Sequence, residues 1–303
     1  MPQQPGLNPI GVHALVWAGD TLRESVELAA RRTMECGFDL LELSLHDLDR
    51  LDVAHARDTL ERSGLQVACS RGLAFTADVS SEDSAVVERG AKLLHDSLEA
   101  SAKLGARTLT GALYSALGKY NHPLRDRGRR NAVAVLRDLA KEAAGQGVTL
   151  GLEICNRYET NVVNTARQAL DLADDIGEGN VVIHLDTYHM NIEEDDLVRP
   201  VYEVGDRLGY VHIGESHRGF LGTGSIDFAA IFDALTAIGY GDDLSFESFS
   251  SEIVDENLSK KTAIWRNLWT DNMELARHAR RFIAVGLETA RRKAELVAAP
   301  QKP

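Results

Sequence analysis

The stretch "VIHLDTYHM", residues 182 to 190, decides the fold because it closes an apolar strand-like run with reactive side chains. Val182, Ile183 and Leu185 are typical of a buried β-strand, whereas Asp186 and His189 are groups that bind metals or transfer protons. A single ending of this kind is equally consistent with a capped turn. The prediction therefore depends on whether other strands end in the same way.

Eight runs with strand character occur along the chain, and each is followed by a longer segment with helical spacing of apolar residues. The runs are "IGVHALVW" (10–17), "FDLLELSL" (38–45), "LQVACSRG" (65–72), "ARTLTGAL" (106–113), "VTLGLEIC" (148–155), "VVIHLDTY" (181–188), "GYVHIGES" (209–216) and "LSFESFS" (244–250). Intervening segments such as "NAVAVLRDLAKEAAGQG" end in glycine, as helices often do. Eight alternating units predict a closed (β/α)8 TIM barrel of the α/β class, and an open doubly wound sheet is the alternative.

The composition is that of an ordinary globular protein, with 44% hydrophobic and 26% charged residues among 303. The formal net charge of −13 repels phosphodiester backbones and anionic lipid, so we expect neither nucleic acid nor a membrane as partner. Three widely spaced cysteines form no CxxC pair, and the first residues lack a basic and apolar leader. A cytoplasmic location is therefore predicted.

The chain is predicted to form a single barrel domain over residues 1–303, because no linker rich in proline, serine or glycine divides it. Residues 251–303 follow the last predicted strand and have a mostly helical pattern, with Trp265, Leu268 and Trp269 available for packing. We predict that this segment is a C-terminal helical cap on the barrel, and a contact between subunits is the alternative.

Asp186 is one of four metal-capable residues on four consecutive predicted strands, together with Glu153, His212 and Glu247. Side chains alternate between the two faces of a strand, and each of these four lies on the opposite face from its apolar neighbours, as Glu153 does from Leu152. In a barrel the apolar faces meet the helices, and the other faces point inward. The carboxyl ends of barrel strands build the active site.

Three carboxylates and one imidazole in a confined space cannot all remain unpaired, because burying several anions together costs many kcal/mol. A divalent cation would solve this problem. Oxygen and imidazole ligands without a thiolate favour Mn²⁺, with Co²⁺ or Mg²⁺ as alternatives. Each residue taken singly is also explained by a salt bridge or a cap, so the prediction rests on all four sharing an inward face.

The chain resembles the ketose 3-epimerases of the xylose-isomerase-like barrel superfamily, which act on D-tagatose, D-allulose (D-psicose) and L-ribulose. The resemblance covers almost the whole chain and is densest in "LEICNRYETNVVNTARQAL", "HLDTYHMNIEE" and "YVHIGESHRGFLGTGSIDF". The last of these, with "SFESFSSEIV" and "IWRNLW", is most like L-ribulose and D-allulose 3-epimerases.

The resemblance implies roles for seven residues and an assembly. The implied metal ligands are Glu153, Asp186, His212 and Glu247. The implied acid/base pair is Glu153 and Glu247, and the implied substrate-binding residues are Glu159, His189 and Arg218. A homodimer or homotetramer is implied as well.

The expected reaction is epimerisation of a free ketose at C3 through a cis-enediolate, with substrates of the L-ribulose, D-allulose/D-fructose and D-tagatose class. One glutamate would remove the C3 proton and the other would deliver a proton to the opposite face, while the metal polarises the carbonyl. A metal-dependent aldose/ketose isomerase on the same scaffold is the nearest alternative. A DNA-repair endonuclease of the endonuclease IV kind and a non-catalytic sugar-binding barrel are more distant ones, disfavoured by the net charge and by the two inward glutamates.

Four further residues remain outside the predicted site. Glu42 lies on an inward face, and a partner of the site and a hydrogen-bonded core residue are equally good interpretations. His184 is predicted to be a satisfied interior residue rather than a fifth ligand. His13 and Trp17 either stack on the sugar or pack in the core, and packing is the commoner fate of such residues.

Overall fold

The computed structural model describes residues 8–254 and 256–298, and eight parallel strands within this part form a closed barrel. The strands are β1 (Ile10–His13), β2 (Leu40–Ser44), β3 (Gln66–Ser70), β4 (Thr108–Thr110), β5 (Thr149–Glu153), β6 (Val181–Asp186), β7 (Leu208–Ile213) and β8 (Leu244–Phe246). They follow one another around the barrel in chain order, and β8 pairs with β1 to close it. The predicted TIM barrel is confirmed, and each strand overlaps the run that predicted it.

Helices alternate with the strands and surround the barrel. They are α1 (Arg23–Glu35), α2 (Val53–Ser63), α3 (Ser84–Leu104), α4 (Asp126–Gly145), α5 (Ala166–Ile176), α6 (Thr187–Glu193), α7 (Arg199–Val204), α8 (Phe228–Ala237), α9 (Glu256–Thr262) and α10 (Asn272–Ala298). Gly64 and Gly105 end α2 and α3 with φ angles of 69° and 78°, which L-residues rarely adopt. Among the described residues, no helix has the length and apolar character needed to cross a bilayer.

Alternation along the strands separates two apolar cores. Leu150 and Leu152 face outward and are fully buried in the large core between the barrel and its helices. Leu40, Ala68 and Tyr210 form a small second cluster inside the barrel. The apolar residues next to the predicted site therefore pack against the helices, as expected, and the polar face is left for the interior.

Two irregularities in the strands determine where side chains lie at the carboxyl end of the barrel. Strand β8 has only the residues Leu244–Phe246, so Glu247 lies one position beyond it. The register between β6 and β7 shifts after Ile183, which brings Asp186 opposite His212. The observed strands are shorter than the stretches that predicted them, because the chain continues as a loop beyond the end of each strand.

Helix α10 packs along α8 on the outside of the barrel. Phe282 on α10 contacts the ring of Phe228 on α8, with ring centroids 5.4 Å apart. Trp269 is buried as expected, whereas Trp265 is 70% exposed and contributes little packing. The single domain over residues 1–303, with a C-terminal cap over residues 251–303, stays a prediction. Residues 1–7, 255 and 299–303 of these ranges lie outside the described residues.

Candidate active site

The four metal-capable residues come together at the mouth of the barrel. Glu153 and Asp186 are the last residues of β5 and β6, His212 lies in β7, and Glu247 follows β8. One nitrogen or carboxylate oxygen from each lies within 4.8 Å of the others. Side-chain exposure in this group reaches only 12%, at Glu153. The inward face shared in the sequence is thus a cluster in space.

The Nδ1 atom of His212 lies among the three carboxylates. It is 3.4 Å from Glu153 Oε1, 3.8 Å from Asp186 Oδ2 and 3.6 Å from Glu247 Oε2. This nitrogen is buried without a hydrogen-bond partner in the described part of the chain, whereas Asp186 Oδ2 and Glu247 Oε2 form ion pairs with the Arg218 guanidinium. An unsatisfied buried group costs about 1–3 kcal/mol, and one divalent cation would satisfy this nitrogen and offset the three carboxylates, with a ligand set of oxygens and one imidazole nitrogen.

The two glutamates of the cluster have raised pKa values. Burial raises the pKa of Glu247 to about 7, although Arg218 and His212 act in the opposite direction. Burial also raises the pKa of Glu153, again against the effect of His212. A carboxyl group with a pKa near 7, such as that of Glu247, exists in both protonation states near neutral pH, as general acid/base catalysis requires.

The pKa values of Asp186 and His212 are shifted in the directions that favour a negatively charged carboxylate and a positively charged imidazole. Burial would raise the pKa of Asp186, but Arg218 and His189 hold it well below its usual value. Burial would lower the pKa of His212, but Glu42 and other carboxylates hold it well above the usual range. A metal ligand must give up its proton, so cation binding here would release a proton from His212.

Arg218 lies beside the carboxylates in an unusual backbone conformation. Its Nη1 atom is 3.1 Å from Asp186 Oδ2 and forms an ion pair with Glu247. The guanidinium carbon lies 3.9 Å from the centre of the Tyr188 ring, within the range of a cation–π interaction. The φ angle of Arg218 is 62°, a strained value that persists only when surrounding contacts impose it.

Buried polar contacts impose this conformation on the loop after β7. The carboxylate of Glu215 accepts hydrogen bonds from the backbone N–H groups of Ser216 and Gly222, at 2.8 Å and 2.9 Å. Ser248 donates to the carbonyl of Arg218 and accepts a hydrogen bond of 2.8 Å from Trp269. Glu215 was not among the residues predicted from the sequence, because its partners are backbone groups of a loop.

His189 and Glu159 share one hydrogen-bonding partner, Asn156. The Nδ1 atom of His189 accepts from the Asn156 backbone N–H at 3.1 Å and from its side-chain amide at 2.8 Å. The same amide donates to Glu159 Oε1 at 2.8 Å. His189 Nε2 therefore faces the cluster, 3.6 Å from Asp186 Oδ2. Asn156 was also missed, although it lies inside "LEICNRYETN".

Of the two side chains held by Asn156, His189 is neutral near pH 7, and Glu159 holds its proton more tightly than an ordinary carboxyl group. Burial lowers the pKa of His189 to about 3, against the opposing effect of Asp186. Burial raises the pKa of Glu159 to about 7, against the effect of Arg218. A neutral imidazole whose Nδ1 accepts hydrogen bonds carries its proton on Nε2, so His189 is set up to donate a hydrogen bond into the cavity.

Glu42 contacts the cluster from the barrel interior, through His212. It is fully buried, and its Oε2 atom is 2.8 Å from His212 Nε2 and accepts a hydrogen bond of 2.9 Å from the Tyr210 hydroxyl. His13 Nε2 lies 3.5 Å from Oε1 of the same carboxylate. Of the two interpretations left open by the sequence, the contact with His212 favours a partner of the site.

His184 and Trp17 are interior residues. His184 Nδ1 is 2.7 Å from Thr110 Oγ1, but its Nε2 has no hydrogen-bond partner among the described residues. Only one of the two ring nitrogens is therefore hydrogen-bonded, whereas the sequence predicted a fully satisfied residue. Trp17 is buried and donates to Thr33 at 3.0 Å, which makes it a core residue.

A cavity opens over the cluster at the carboxyl ends of the strands. The three predicted substrate-binding residues line it together with the metal-capable residues Glu153, His212 and Glu247; they are Glu159, His189 and Arg218. Its other wall is formed by residues that include His13, Ser44 and Ser70 from β1 to β3. Six of the seven predicted site residues thus line one cavity, and Asp186 lies buried within the cluster beside it.

Comparison with known proteins identifies a family and close relatives. Residues 29–284 match the family described as xylose isomerase-like TIM barrel. The L-ribulose 3-epimerase of Mesorhizobium japonicum (strain LMG 29417 / CECT 9101 / MAFF 303099) is 54% identical over 295 residues, which cover 97% of this chain and 99% of that protein. The ketose 3-epimerase of Arthrobacter globiformis is 48% identical, with 90% and 95% of the two chains covered.

Solved structures agree with these sequence comparisons. A structure of L-ribulose 3-epimerase superimposes with a TM-score of 0.95 at 52% identity, covering 98% of this chain and 100% of the other. D-allulose 3-epimerase from Methylomonas sp., in complex with D-allulose, superimposes with a TM-score of 0.90 at 46% identity over 93% and 98% of the two chains.

Proposed function

This chain belongs to the xylose isomerase-like TIM barrel family and is a carbohydrate epimerase of the isomerase class, and we propose that it inverts C3 of free ketoses with a divalent cation. The names of its close relatives support ketose 3-epimerisation as the reaction. L-ribulose, D-allulose/D-fructose and D-tagatose are the proposed substrates.

The observation that carries the proposal is the position of two proton-transfer groups around one centre. Glu153 and Glu247 reach the same His212 nitrogen from β5 and from the end of β8, three strands apart. Inversion at a carbon needs a base on one face and an acid on the other. Two carboxyl groups from different sides of the mouth are suited to this task.

The proposed cofactor is Mn²⁺, with Co²⁺ or Mg²⁺ as alternatives, held by Glu153, Asp186, His212 and Glu247. The support is the donor set of these residues, whose carboxylates are buried together around the unpartnered Nδ1 atom of His212. When bound, the cation would polarise the ketose carbonyl and stabilise negative charge that develops beside it.

The chain's own residues account for the proton transfers. One of Glu153 and Glu247, ionised, takes the proton from C3, which leaves a cis-enediolate; the other, protonated, delivers a proton to the opposite face of C3. The reverse epimerisation exchanges the two roles. A catalytic pair of this kind contributes about 10²–10⁴-fold to a rate.

Three residues are proposed to bind and orient the sugar. His189 would donate a hydrogen bond from Nε2 to a substrate oxygen, because Asn156 occupies Nδ1. Arg218 would stabilise negative charge near the reacting carbons, and Glu159 would accept from or donate to a hydroxyl. All three side chains line the cavity over the cluster.

Isotope exchange tests the reaction directly. A ketose incubated with Mn²⁺-loaded enzyme in D₂O should yield an epimer with deuterium at C3, because the proton delivered does not come from the carboxyl that accepted the original one. Nuclear magnetic resonance locates the label. Deuterium at C1 with an aldose as product would establish the isomerase alternative instead.

The assembly and the location of the protein are further proposals. We propose a homodimer or homotetramer in the cytoplasm, acting on small sugars without nucleic acid or membrane partners. The three cysteines are buried and unpaired, which is compatible with a reducing compartment. Light scattering of the purified protein should give two or four times the chain mass of 33.2 kDa, and a monomer would contradict the assembly.

A further inference from the structure

Glu42 is a charged residue in the interior of the barrel that has no role in the reaction described above. It lies in β2, 170 positions from His212 in the chain, and its side chain is fully buried. Burying an ionised carboxylate is costly unless donors surround it. Its ion-pair partners within the described residues are only histidines, His13 and His212. The charge is therefore compensated mainly by a residue of the proposed metal site.

The contact is directional. Glu42 Oε2 lies 2.8 Å from His212 Nε2, on the far side of the ring from the three other carboxylates. A neutral imidazole has one N–H group and one lone pair, so an acceptor at Nε2 places the lone pair on Nδ1. Nδ1 is the atom that faces Glu153, Asp186 and Glu247.

Neighbouring rings keep this geometry in place. The Tyr210 hydroxyl donates to the same Oε2 atom at 2.9 Å, which fixes the carboxylate. The His184 ring meets the His212 ring edge to face, with centroids 4.2 Å apart. The imidazole of His212 is thus hydrogen-bonded to Glu42 at Nε2 and packed against the ring of His184.

We propose that Glu42 is a positioning residue for the metal centre: it selects the tautomer of His212 that offers Nδ1 to the cation and orients the ring toward Glu153, Asp186 and Glu247. Removing such a partner of a metal-binding histidine costs about 10–100-fold in metal affinity. This inference rests on the proposed metal-dependent function, and the test must separate the two.

The test is a Mn²⁺ titration of metal-depleted protein, followed by the electron paramagnetic resonance signal of free Mn²⁺. Glu42→Gln keeps the size of the side chain and one acceptor oxygen but removes the charge, and its Kd for Mn²⁺ should rise about 10–100-fold. Excess Mn²⁺ should restore much of its turnover. Glu42→Asp, which withdraws the carboxylate by one methylene, should also bind more weakly than the parent.

Asp78→Asn is the matched control. Asp78 is a buried carboxylate that accepts a hydrogen bond of 2.6 Å from Tyr120, much as Glu42 accepts from Tyr210, but it does not contact the cluster. Its loss should lower the melting temperature and leave the Kd for Mn²⁺ within about twofold of the parent, since it acts only on stability.

Three outcomes decide the matter. Weaker binding in both Glu42 variants, with normal binding in Asp78→Asn, supports the proposal. Parent-like Mn²⁺ affinity in folded Glu42→Gln overturns it while leaving the proposed metal-dependent function intact. A parent enzyme that turns over ketose without binding Mn²⁺ or another divalent cation overturns both.

Discussion

The two halves of the barrel mouth are built from the same βα units but carry opposite kinds of side chains. Strands β5 to β8 bring three carboxylates and an imidazole to within 4.8 Å of one another. Strands β1 to β4 line the same cavity largely with small or neutral groups, among them Ser44, Ser70 and Gly111. The repeated fold therefore provides positions, and the four metal-capable residues of the cluster are confined to one half.

The contrast also has an energetic meaning. Burial, and to a smaller extent the neighbouring carboxylates, raises the pKa of Glu153 and of Glu247, so leaving the β5–β8 half without a cation is costly. The β1–β4 half has several small side chains beside Arg71 and leaves space that a polyhydroxylated ligand can fill. If this division is correct, changes to the charged half should dominate both activity and metal binding.

Removal of the metal should have the largest effect on activity. Unchanged activity would contradict the division of the barrel mouth into two different halves. Dialysis against EDTA should abolish epimerisation, and Mn²⁺ or Co²⁺ should restore it. A cation at 100 times its Kd that binds only the folded chain stabilises it by about 2.7 kcal/mol, so calorimetry should show a higher melting temperature. Full activity in rigorously metal-free protein would contradict the proposed cation site in the β5–β8 half.

Loss of either glutamate should come next. Glu153→Gln and Glu247→Gln should each reduce epimerisation by about 10²–10⁴-fold or more, because an amide neither accepts nor donates the C3 proton. Turnover assays with saturating Mn²⁺ measure this effect. Glu61→Gln, at an exposed position on α2, serves as the control and should behave like the parent. A variant with undiminished rate would remove that glutamate from the mechanism.

Arg218→Ala should have a smaller effect that is confined to substrate. A charged hydrogen bond is worth about 1.5–3 kcal/mol, so kcat/KM should fall about 10–100-fold. Elemental analysis should find a metal content near that of the parent, since Arg218 is not a ligand. Exposed Arg127→Ala on α4 is the control. Loss of metal in Arg218→Ala would show that the division between metal and substrate residues is wrong.

The smallest effect concerns the pH dependence of stability in metal-free protein. The pKa of Glu159 is raised to about 7 from an ordinary value of 4.5, so the folded state holds its proton more tightly than the unfolded state. The resulting stabilisation is fully present below pH 4.5 and is lost as the pH rises to 7. Glutamine resembles the protonated carboxyl at every pH.

Calorimetry of Glu159→Gln and the parent measures that difference. The melting temperature of the variant relative to the parent should increase by about a few degrees between pH 4.5 and 7, because only the parent loses stability from this group. Parallel curves would show that burial does not hold the proton on Glu159.

The amino-acid sequence determined the barrel and the core of the site. Alternation of apolar and polar residues is a property of each strand by itself, so it could be read at Glu153, Asp186, His212 and Glu247 without knowledge of their neighbours. Repetition of the βα unit then placed all four at the same end of the barrel. Glycines such as Gly105 marked helix ends for an equally local reason.

The tertiary structure decided which inward residues touch one another. The contact of Glu42 with His212 spans 170 positions and depends on how the barrel closes across its interior. The register shift between β6 and β7, the φ angle of 62° at Arg218 and the hydrogen bonds of Asn156 to His189 depend on loops packed against distant strands. A sequence pattern fixes the face of a side chain, but its partners are set by the stagger of the closed barrel and by the loops above it.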